Sequence, residues 1–411
     1  MRILCKYPGK PEGTTGKGVN IVQPRVKTIS TQAANPTAPG AGFARFALYR
    51  DFASVEAIWR SFERDADFTP YQQFGFLERW HRHIGAKEDV TPLIALAFDA
   101  EDNPLCLLPL GKFLRGPFSV GSFIGGKHAN YNFGLWRRGA AFSRDFIAQL
   151  LAALVEAEPS LVALELHNQP YAWHGVENPL LAFPHQPSPS SGYRLKLGEP
   201  GEAVLLRQLT SSYRGRIRNK EKKLAKLPGY RYFIAASPEE ITRCMDAFFT
   251  QKRDYMTTMK IPNPFDEPEV ETYLRDIALA HVLEIHALEC ESEVLALYAA
   301  VKDDRRLSTM ISSYTASENA RWSPGIITLS HAVANAADRG LDMMDLGVGD
   351  AEYKRVYCNE NEDLFDSFIP LSPKGQAIVQ ILRAQGGLKR FVKATPALWK
   401  AAKTVRGLFS R

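Results

Sequence analysis

The sequence predicts an α+β fold in two parts, each a mixed, mostly antiparallel sheet flanked by helices. Two observations carry this. In the second half, three strand-like runs, Val282 to Cys290, Val294 to Val301 and Leu307 to Tyr314, are separated by the short turns Glu291-Ser-Glu293 and Lys302-Asp-Asp-Arg305. That spacing belongs to antiparallel hairpins, and the helix and apolar run behind them make a βαβ unit. The first half repeats the pattern in reduced form, as paired helices, a hairpin, a helix and a strand, with no repeat at residue level.

Met1 to about Gly42 is rich in Gly, Pro, Thr, Ser and Lys without periodicity, and reads as a disordered tail. From there Arg45 to Arg50 alternates like a strand. Val55, Ile58, Trp59 and Phe62 form one helical stripe, and Phe74, Leu77 and Trp80 another. Leu93 to Phe98 and Leu105 to Phe113 read as strands joined by the turn Asp99-Ala-Glu-Asp-Asn103-Pro104. A Gly-rich segment, Gly116 to Gly126, precedes a helix from Phe142 to Glu156 and a strand from Leu161 to Leu166. Asn168 to Ser191 is rich in Pro and Ser and reads as a connection.

The second half opens with helical material from Glu202 and a basic helix, Ser212 to Leu227, ended by Pro228-Gly229. A strand (Tyr230 to Ala235), two helices (Pro238 to Tyr255, Glu267 to Ala280) and the three hairpin strands follow. Ser323 is a good N-cap and Pro324 a good first helical residue. Ile326, Ile327, Leu329, Val333 and Ala336 supply one apolar face, and Gly340 is placed to end the helix. Leu341 to Leu346 then reads as a buried strand, with Gly347 and Gly349 just past it. A short helix at Glu352 to Tyr357 and a strand from Leu364 to Pro370 complete the order. The expected division is a tail (1–42), an N-terminal lobe (43–200), a C-terminal lobe (201–370) and a basic amphipathic tail (371–411).

Composition is that of an ordinary globular chain of 411 residues, 45% hydrophobic and 23% charged. The formal charge of +6 is unevenly placed: Leu371 to Arg411 holds nine Lys or Arg and no Asp or Glu. Such a tail suits a partner bearing phosphates, anionic lipid or nucleic acid, or is a solvated basic helix. The five cysteines are scattered with no CxxC, which argues against a disulfide framework or zinc site and fits a reducing cytoplasm. No apolar run is long enough to span a bilayer, and no secretory signal is visible. GxSxG, GxxxxGK[ST] and HExxH are all missing, so no metal is expected.

Three patterns point to a family. They are Ser212-Tyr-Arg214-Gly-Arg-Ile-Arg218-Asn-Lys-Glu-Lys-Lys-Leu224, the helix opening Ser323-Pro324-Gly325, and Asp345-Leu-Gly-Val-Gly-Asp350-Ala-Glu-Tyr353-Lys354. Leu107-Leu-Pro109-Leu and Gly125-Gly126-Lys-His-Ala-Asn130-Tyr131 add to them. Together with the element order, residues 45 to 370 resemble the GNAT acetyltransferase superfamily, and more narrowly the CelD/BcsL-type acetyltransferases of cellulose and exopolysaccharide biosynthesis. The resemblance implies two tandem GNAT-like lobes, the second complete, in an arrangement also seen in Fem-type peptidoglycan aminoacyltransferases. It implies acetyl-CoA as donor, with a sugar, sugar-nucleotide or amine acceptor between the lobes.

Acyl transfer from coenzyme A needs a pyrophosphate cradle, a pantetheine channel, a base and an acid. The helix N-terminus at Ser323, Gly325 and Ile326 suits the cradle, and Arg321 adds a cation beside it. The fingerprint Q/R-x-x-G-x-G/A is replaced by Arg321-Trp-Ser-Pro324-Gly325-Ile326. Pro324 has no N–H, so a shallower cradle is expected. The channel is expected between the strands ending at Tyr314 and Leu346, which splay apart in GNAT folds. Tyr353 is the expected acid, and Asp345 or Asp350 the expected base. Lys354 is expected to pair with one of them or with a phosphate. The alternative roles are structural: Asp345 bracing the turn, Tyr353 and Lys354 docking a helix.

In the basic helix, Tyr213, Ile217, Leu224 and Leu227 form the buried stripe, while Arg214, Arg218, Lys222 and Lys226 share a polar face. That face fits a phosphate-bearing acceptor, or the helix is a solvated linker. Arg214, Arg218, Asn130, Tyr131 and Tyr314 are the expected substrate contacts. The tail beyond Leu371, cut into short helices by Gly386-Gly387 and Pro396, fits an anionic membrane surface or packs on the body. The expected location is cytoplasmic or at the inner face of the membrane. The competing functions are a Fem-like transferase using aminoacyl-tRNA and a non-catalytic scaffold of a polysaccharide machine.

Overall fold

The computed structural model describes residues 29–30 and 42–395. The expected tail disorder lies almost wholly outside these residues; within them, Ile29–Ser30 pairs antiparallel with Phe46 and Arg45. The segment after 395 likewise lies outside.

The first half runs β1 (Arg45–Tyr49), α1 (Glu56–Phe62), α2 (Phe74–Trp80), β2 (Thr91–Phe98), β3 (Pro104–Arg115), β4 (Phe118–Phe123), α3 (Arg144–Ala157), β5 (Leu161–Pro170) and β6 (Gly192–Lys196). The second half opens with α4 (Gly201–Gln208) and α5 (Ser211–Leu224). It continues β7 (Arg231–Ile234), α6 (Pro238–Met259), α7 (Pro268–Leu279), β8 (Glu284–Cys290), β9 (Glu293–Lys302), β10 (Arg306–Tyr314), α8 (Pro324–Asp338), β11 (Met343–Val348), α9 (Glu352–Tyr357), β12 (Glu360–Glu362), β13 (Leu364–Pro370) and α10 (Pro373–Ala394). The repeat is therefore real at the level of elements: β1-α1-α2-β2-β3-β4-α3-β5 matches β7-α6-α7-β8-β9-β10-α8-β11. Each lobe has one parallel pair bridged by a helix, β4 with β5 and β10 with β11. The remaining ladders are antiparallel, and the fold is α+β with two GNAT-like lobes.

The lobes exchange strands. β6, the last strand of the first half, inserts into the second sheet beside β11, giving the order β7-β8-β9-β10-β11-β6-β12. In return β13 enters the first sheet beside β5. Each sheet thus takes one strand from across the division expected at residue 200. Hydrophobic pattern shows that a strand is buried but not which sheet buries it. The shared core follows the same logic: Phe76 of α2 packs edge-on against Tyr273 of α7 with ring centroids 5.7 Å apart. One cluster of buried residues runs through both lobes from Phe43 to Ile369.

Two further expectations change. The Gly-rich segment contains β4, a full strand. Gly121 sits there because a Cβ would come 2.6 Å from Leu164 Cδ2 on the neighbouring β5. The tail helix α10 is continuous through Gly386-Gly387 rather than broken. At Gly386 the helix lies against the end of the Gln186 side chain, which a Cβ would displace, and packing on the first sheet outweighs the low helix propensity of glycine.

Candidate functional site

β10 and β11 pair over only three registers, Arg306 with Met343, Leu307 with Met344 and Ser308 with Asp345. Beyond Ser308 the strands part. A bulge at Met310 marks the place, since Ala300 faces Thr309 while Ala299 faces Ile311. The opening so formed ends at Tyr314 and at the first turn of α8.

That first turn follows a 3₁₀ turn, Glu318–Trp322, that leaves Ser323 in the left-handed region at φ 54°. Ser323 precedes the helix as expected, but its hydroxyl does not cap it. Lys220 Nζ of α5 donates to Ser323 Oγ at 2.7 Å instead, which draws the hydroxyl away from the helix amides. Pro324 has no N–H, and Ile326 and Ile327 both donate to the Ser323 carbonyl. Gly325 alone keeps a first-turn amide without an intrahelical partner. Arg321, in the preceding 3₁₀ turn, is exposed, 3.6 Å from Glu318 and 5.0 Å from the Trp322 ring centroid. The turn thus carries one backbone amide without an intrahelical partner and, at Ser323, a cation from the basic helix.

Tyr314 is 52% exposed and lies over the same turn, since a Cβ on Gly325 would sit 3.6 Å from its ring. Tyr353 of α9 faces the Ser312 side chain of β10. Burial pushes its phenol up to about 12, although the Ser312 hydroxyl acts to lower it, so it stays protonated and is a donor at neutral pH. Behind it Tyr298 of β9, opposite Ser312, is buried. Burial and the phenols of Tyr353, Tyr357, Tyr213 and Tyr314 hold Tyr298 well above its ordinary value. Tyr357 closes this tyrosine-lined floor, exchanging a hydrogen bond with Ser330 of α8 at 2.7 Å.

The other nominated residues lie elsewhere. Asp345 is fully buried and accepts four hydrogen bonds. Tyr131 (3.2 Å) and the Gly347 amide (3.0 Å) serve Oδ1; Arg306 Nε (2.9 Å) and Ser308 (2.6 Å) serve Oδ2. A carboxylate has about four lone-pair sites, so none remains for a substrate proton. Arg306 also reaches Glu362 at 3.0 Å and lies 4.0 Å from the Trp173 ring centroid. Burial works against its charge, yet Asp345, Tyr131 and Glu362 outweigh burial and hold its pKa above the ordinary value. Asp350 is exposed and paired bidentately with Arg355 at 2.7 Å; that pairing and the Tyr193 hydroxyl lower its pKa. Lys354 is buried, with its pKa lowered by burial. Its Nζ donates to the Gly347 and Val348 carbonyls at 3.3 Å, tying α9 to the end of β11.

Asn130 and Tyr131 form the seam between the lobes rather than a ligand surface. Tyr131 is fully buried. Asn130 donates to Tyr71 at 2.8 Å and to the Thr309 carbonyl at 3.3 Å. It thereby occupies a β10 backbone acceptor just past the last register with β11. Gly347, at φ 74°, makes room: a Cβ there would come 2.9 Å from Asn130 Nδ2. Arg214 donates to the Leu206 and Leu209 carbonyls and so caps α4. Arg218 is exposed beside a cleft of about 200 Å³ between α4, α5 and α8.

The structure therefore brings Ser323, Gly325, Ile326 and Tyr314 together at one turn, with Tyr353 against β10 and Arg321 exposed in the turn before it, and takes Asp345, Asp350, Asn130, Tyr131 and Arg214 into structural contacts. Ser312, Tyr298 and Arg306 escaped the sequence reading, and Lys220 was not assigned to the first turn of α8. Lys220 carried a signal, as one of the cations on α5; the other three did not stand out from their strands. Among the described residues no cluster of His, Cys, Asp and Glu could hold a metal ion, and no helix is long and apolar enough to cross a membrane.

Residues 211–355 match the family described as acetyltransferase (GNAT) domain. The match spans α5 to α9 and includes the opening between β10 and β11. No curated protein matches the sequence. Among solved structures, a conserved protein of unknown function from Bacteroides thetaiotaomicron VPI-5482 superposes with a TM-score of 0.52 at 11% identity, covering 77% of this chain and 97% of that one. FemX superposes with a TM-score of 0.52 at 10% identity, covering 73% and 93%. At these identities the likeness is one of fold, and it extends over both lobes.

Proposed function

We propose that the protein transfers an acyl group, acetyl in the first instance, from coenzyme A to an amine or hydroxyl acceptor. The observation that carries this reading is the parting of β10 from β11 beside the first turn of α8, inside the segment that matches a GNAT domain. The resemblance to CelD/BcsL-type enzymes supports a place in polysaccharide or cell-envelope biosynthesis.

The residues present fit the donor. Beyond Thr309, whose carbonyl Asn130 occupies, backbone groups of β10 have no β11 partner and can receive an extended amide-bearing arm. Lys220 and the Gly325 amide form an anion site at the end of that path, with Arg321 in the turn before it. The donor supplies a thioester carbonyl and a thiolate leaving group. Tyr353 holds its proton at the floor of the opening and is placed to give it to that thiolate. Ser312 faces the phenol, and the tyrosine floor excludes water. Asp345 and Asp350 are committed to other partners, so the acceptor proton passes to solvent at the exposed Tyr314 end of the opening, and solvent returns a proton to the Tyr353 phenolate. Cys358 is buried and its thiol pushed up to about 12 by burial, which does not suit a covalent intermediate.

Calorimetry with acetyl-CoA and coenzyme A tests the reading. Saturable binding that weakens in Lys220→Ala supports it; no binding at millimolar ligand rejects it. A second reading, Fem-like transfer from aminoacyl-tRNA, draws on the likeness to FemX and on the cations of α5. Steeply salt-dependent tRNA binding without coenzyme A binding would select it.

A further inference from the structure

We propose that the outward face of α10 docks the protein on an anionic lipid surface. α10 has two apolar faces. Ile378, Val379 and Leu382 are buried against the first sheet with Phe368 and Ala163. Ile381, Leu388 and Phe391 are 59%, 63% and 61% exposed. Ala377 and Ala384, also exposed, complete the spacing Ala377-Ile381-Ala384-Leu388-Phe391. At the α-helical repeat these five positions lie within about 40° of one line. Such a stripe is what an interfacial helix lays into the headgroup region.

Charge selects the occupant. Residues 371–411 contain nine Lys or Arg and no acid. Lys374 and Lys389 are exposed on α10. Arg383 and Arg390 donate to the carbonyls of Phe368 and Pro187, which turns them toward the body. The acids Glu165 and Asp366 on the sheet below are already paired with Arg115 and His167. A second copy of the chain would bring this helix against its own cations with no acid on it to answer them. A nucleic acid would neutralise the lysines but leave Ile381, Leu388 and Phe391 in water. A bilayer with anionic headgroups satisfies both stripe and charge. The inference does not depend on the acyl-transfer reading.

Co-sedimentation of the full chain with vesicles tests it. Binding is expected to vesicles of phosphatidylcholine containing a third phosphatidylglycerol, to fall with salt, and to be weak on phosphatidylcholine alone. Ile381→Ser/Leu388→Ser/Phe391→Ser should bind at least about tenfold more weakly with an unchanged melting temperature, because these side chains lie on the solvent face. Lys374→Glu and Lys389→Glu should each cost about fivefold. The proposal is overturned if the wild type ignores anionic vesicles or if the triple-serine variant binds them as well as the wild type. It is also overturned if the triple variant only dissolves a dimer seen by ultracentrifugation, or if RNA displaces the vesicles and binds both forms alike.

Discussion

Tyr131 of the first lobe donates its phenolic hydrogen to Asp345 of the second across 3.2 Å. Both side chains are wholly buried, and the bond joins the lobes directly beneath the opening between β10 and β11. Through Arg306 the same network continues to Glu362, and from there to Arg194 at 2.9 Å on the exchanged strand β6. The lobes are thus locked by charge as well as by exchanged strands.

Asp345→Asn should therefore be a stability variant. It leaves Arg306 buried opposite a neutral amide, and losing one partner of a buried pair costs about 3 kcal/mol or more. Tyr131→Phe removes one neutral hydrogen bond donor and should cost about 1 kcal/mol. Urea denaturation of the two variants measures both. If Asp345→Asn kept wild-type stability while abolishing turnover, Asp345 would be the base after all.

Tyr353→Phe should do the opposite. The phenol faces Ser312 on β10, and the ring itself is retained. Melting temperature and coenzyme A affinity should stay near wild type, while release of free thiol from acetyl-CoA should slow by about 10²-fold or more. Equal rates in the two proteins would remove Tyr353 from the reaction.

Much of the fold was legible because periodicity, turns and caps are local. The β10-α8-β11 unit and the paired helices of both lobes lie where the apolar spacing puts them. The exchange of β6 and β13 was not legible, since an apolar run has no address for its sheet. The site divided the same way. Gly325 and Tyr353 were marked by a helix start and a strand end. Asp345 carried the same kind of mark, yet Tyr131, Arg306 and Ser308 that claim it are 214, 39 and 37 residues away in sequence. A charged residue near a strand end reads alike whether its partner is a substrate or another lobe.

Lys220→Ala should weaken donor binding by about tenfold at low salt, the scale of one charge-assisted hydrogen bond to a phosphate. The salt dependence of binding should become shallower, because one fewer cation meets the anion. Ser323→Ala, which frees Lys220 without removing it, should change affinity far less. Calorimetry at two salt concentrations separates these outcomes, and an unchanged Lys220→Ala would place the pyrophosphate elsewhere.

The last prediction concerns pH and lies outside the site. His167 sits between Glu165 at 2.8 Å and Asp366 at 3.2 Å in the first sheet. Partial burial works against its charge, but the hydrogen bonds its two ring nitrogens donate to Asp366 and Glu165 win and raise its pKa to about 9 from 6.5. Glu165 is also buried, yet its bonds to His167 and Arg115 lower it to about 2 from 4.5. A raised histidine contributes stability fully below its unfolded value and loses it as pH climbs through the folded one. A lowered carboxylate contributes above its unfolded value and loses it as pH falls through the folded one. The cluster should therefore stabilise most between pH 4.5 and 6.5, with one limb declining toward pH 9 and the other toward pH 2. His167→Gln cannot carry the charge, so the alkaline limb should flatten. The acid limb should shift upward, because Glu165 and Asp366 lose a cationic partner. Urea midpoints across this range decide the matter: parallel curves for wild type and variant would mean that His167 is neutral in the folded protein.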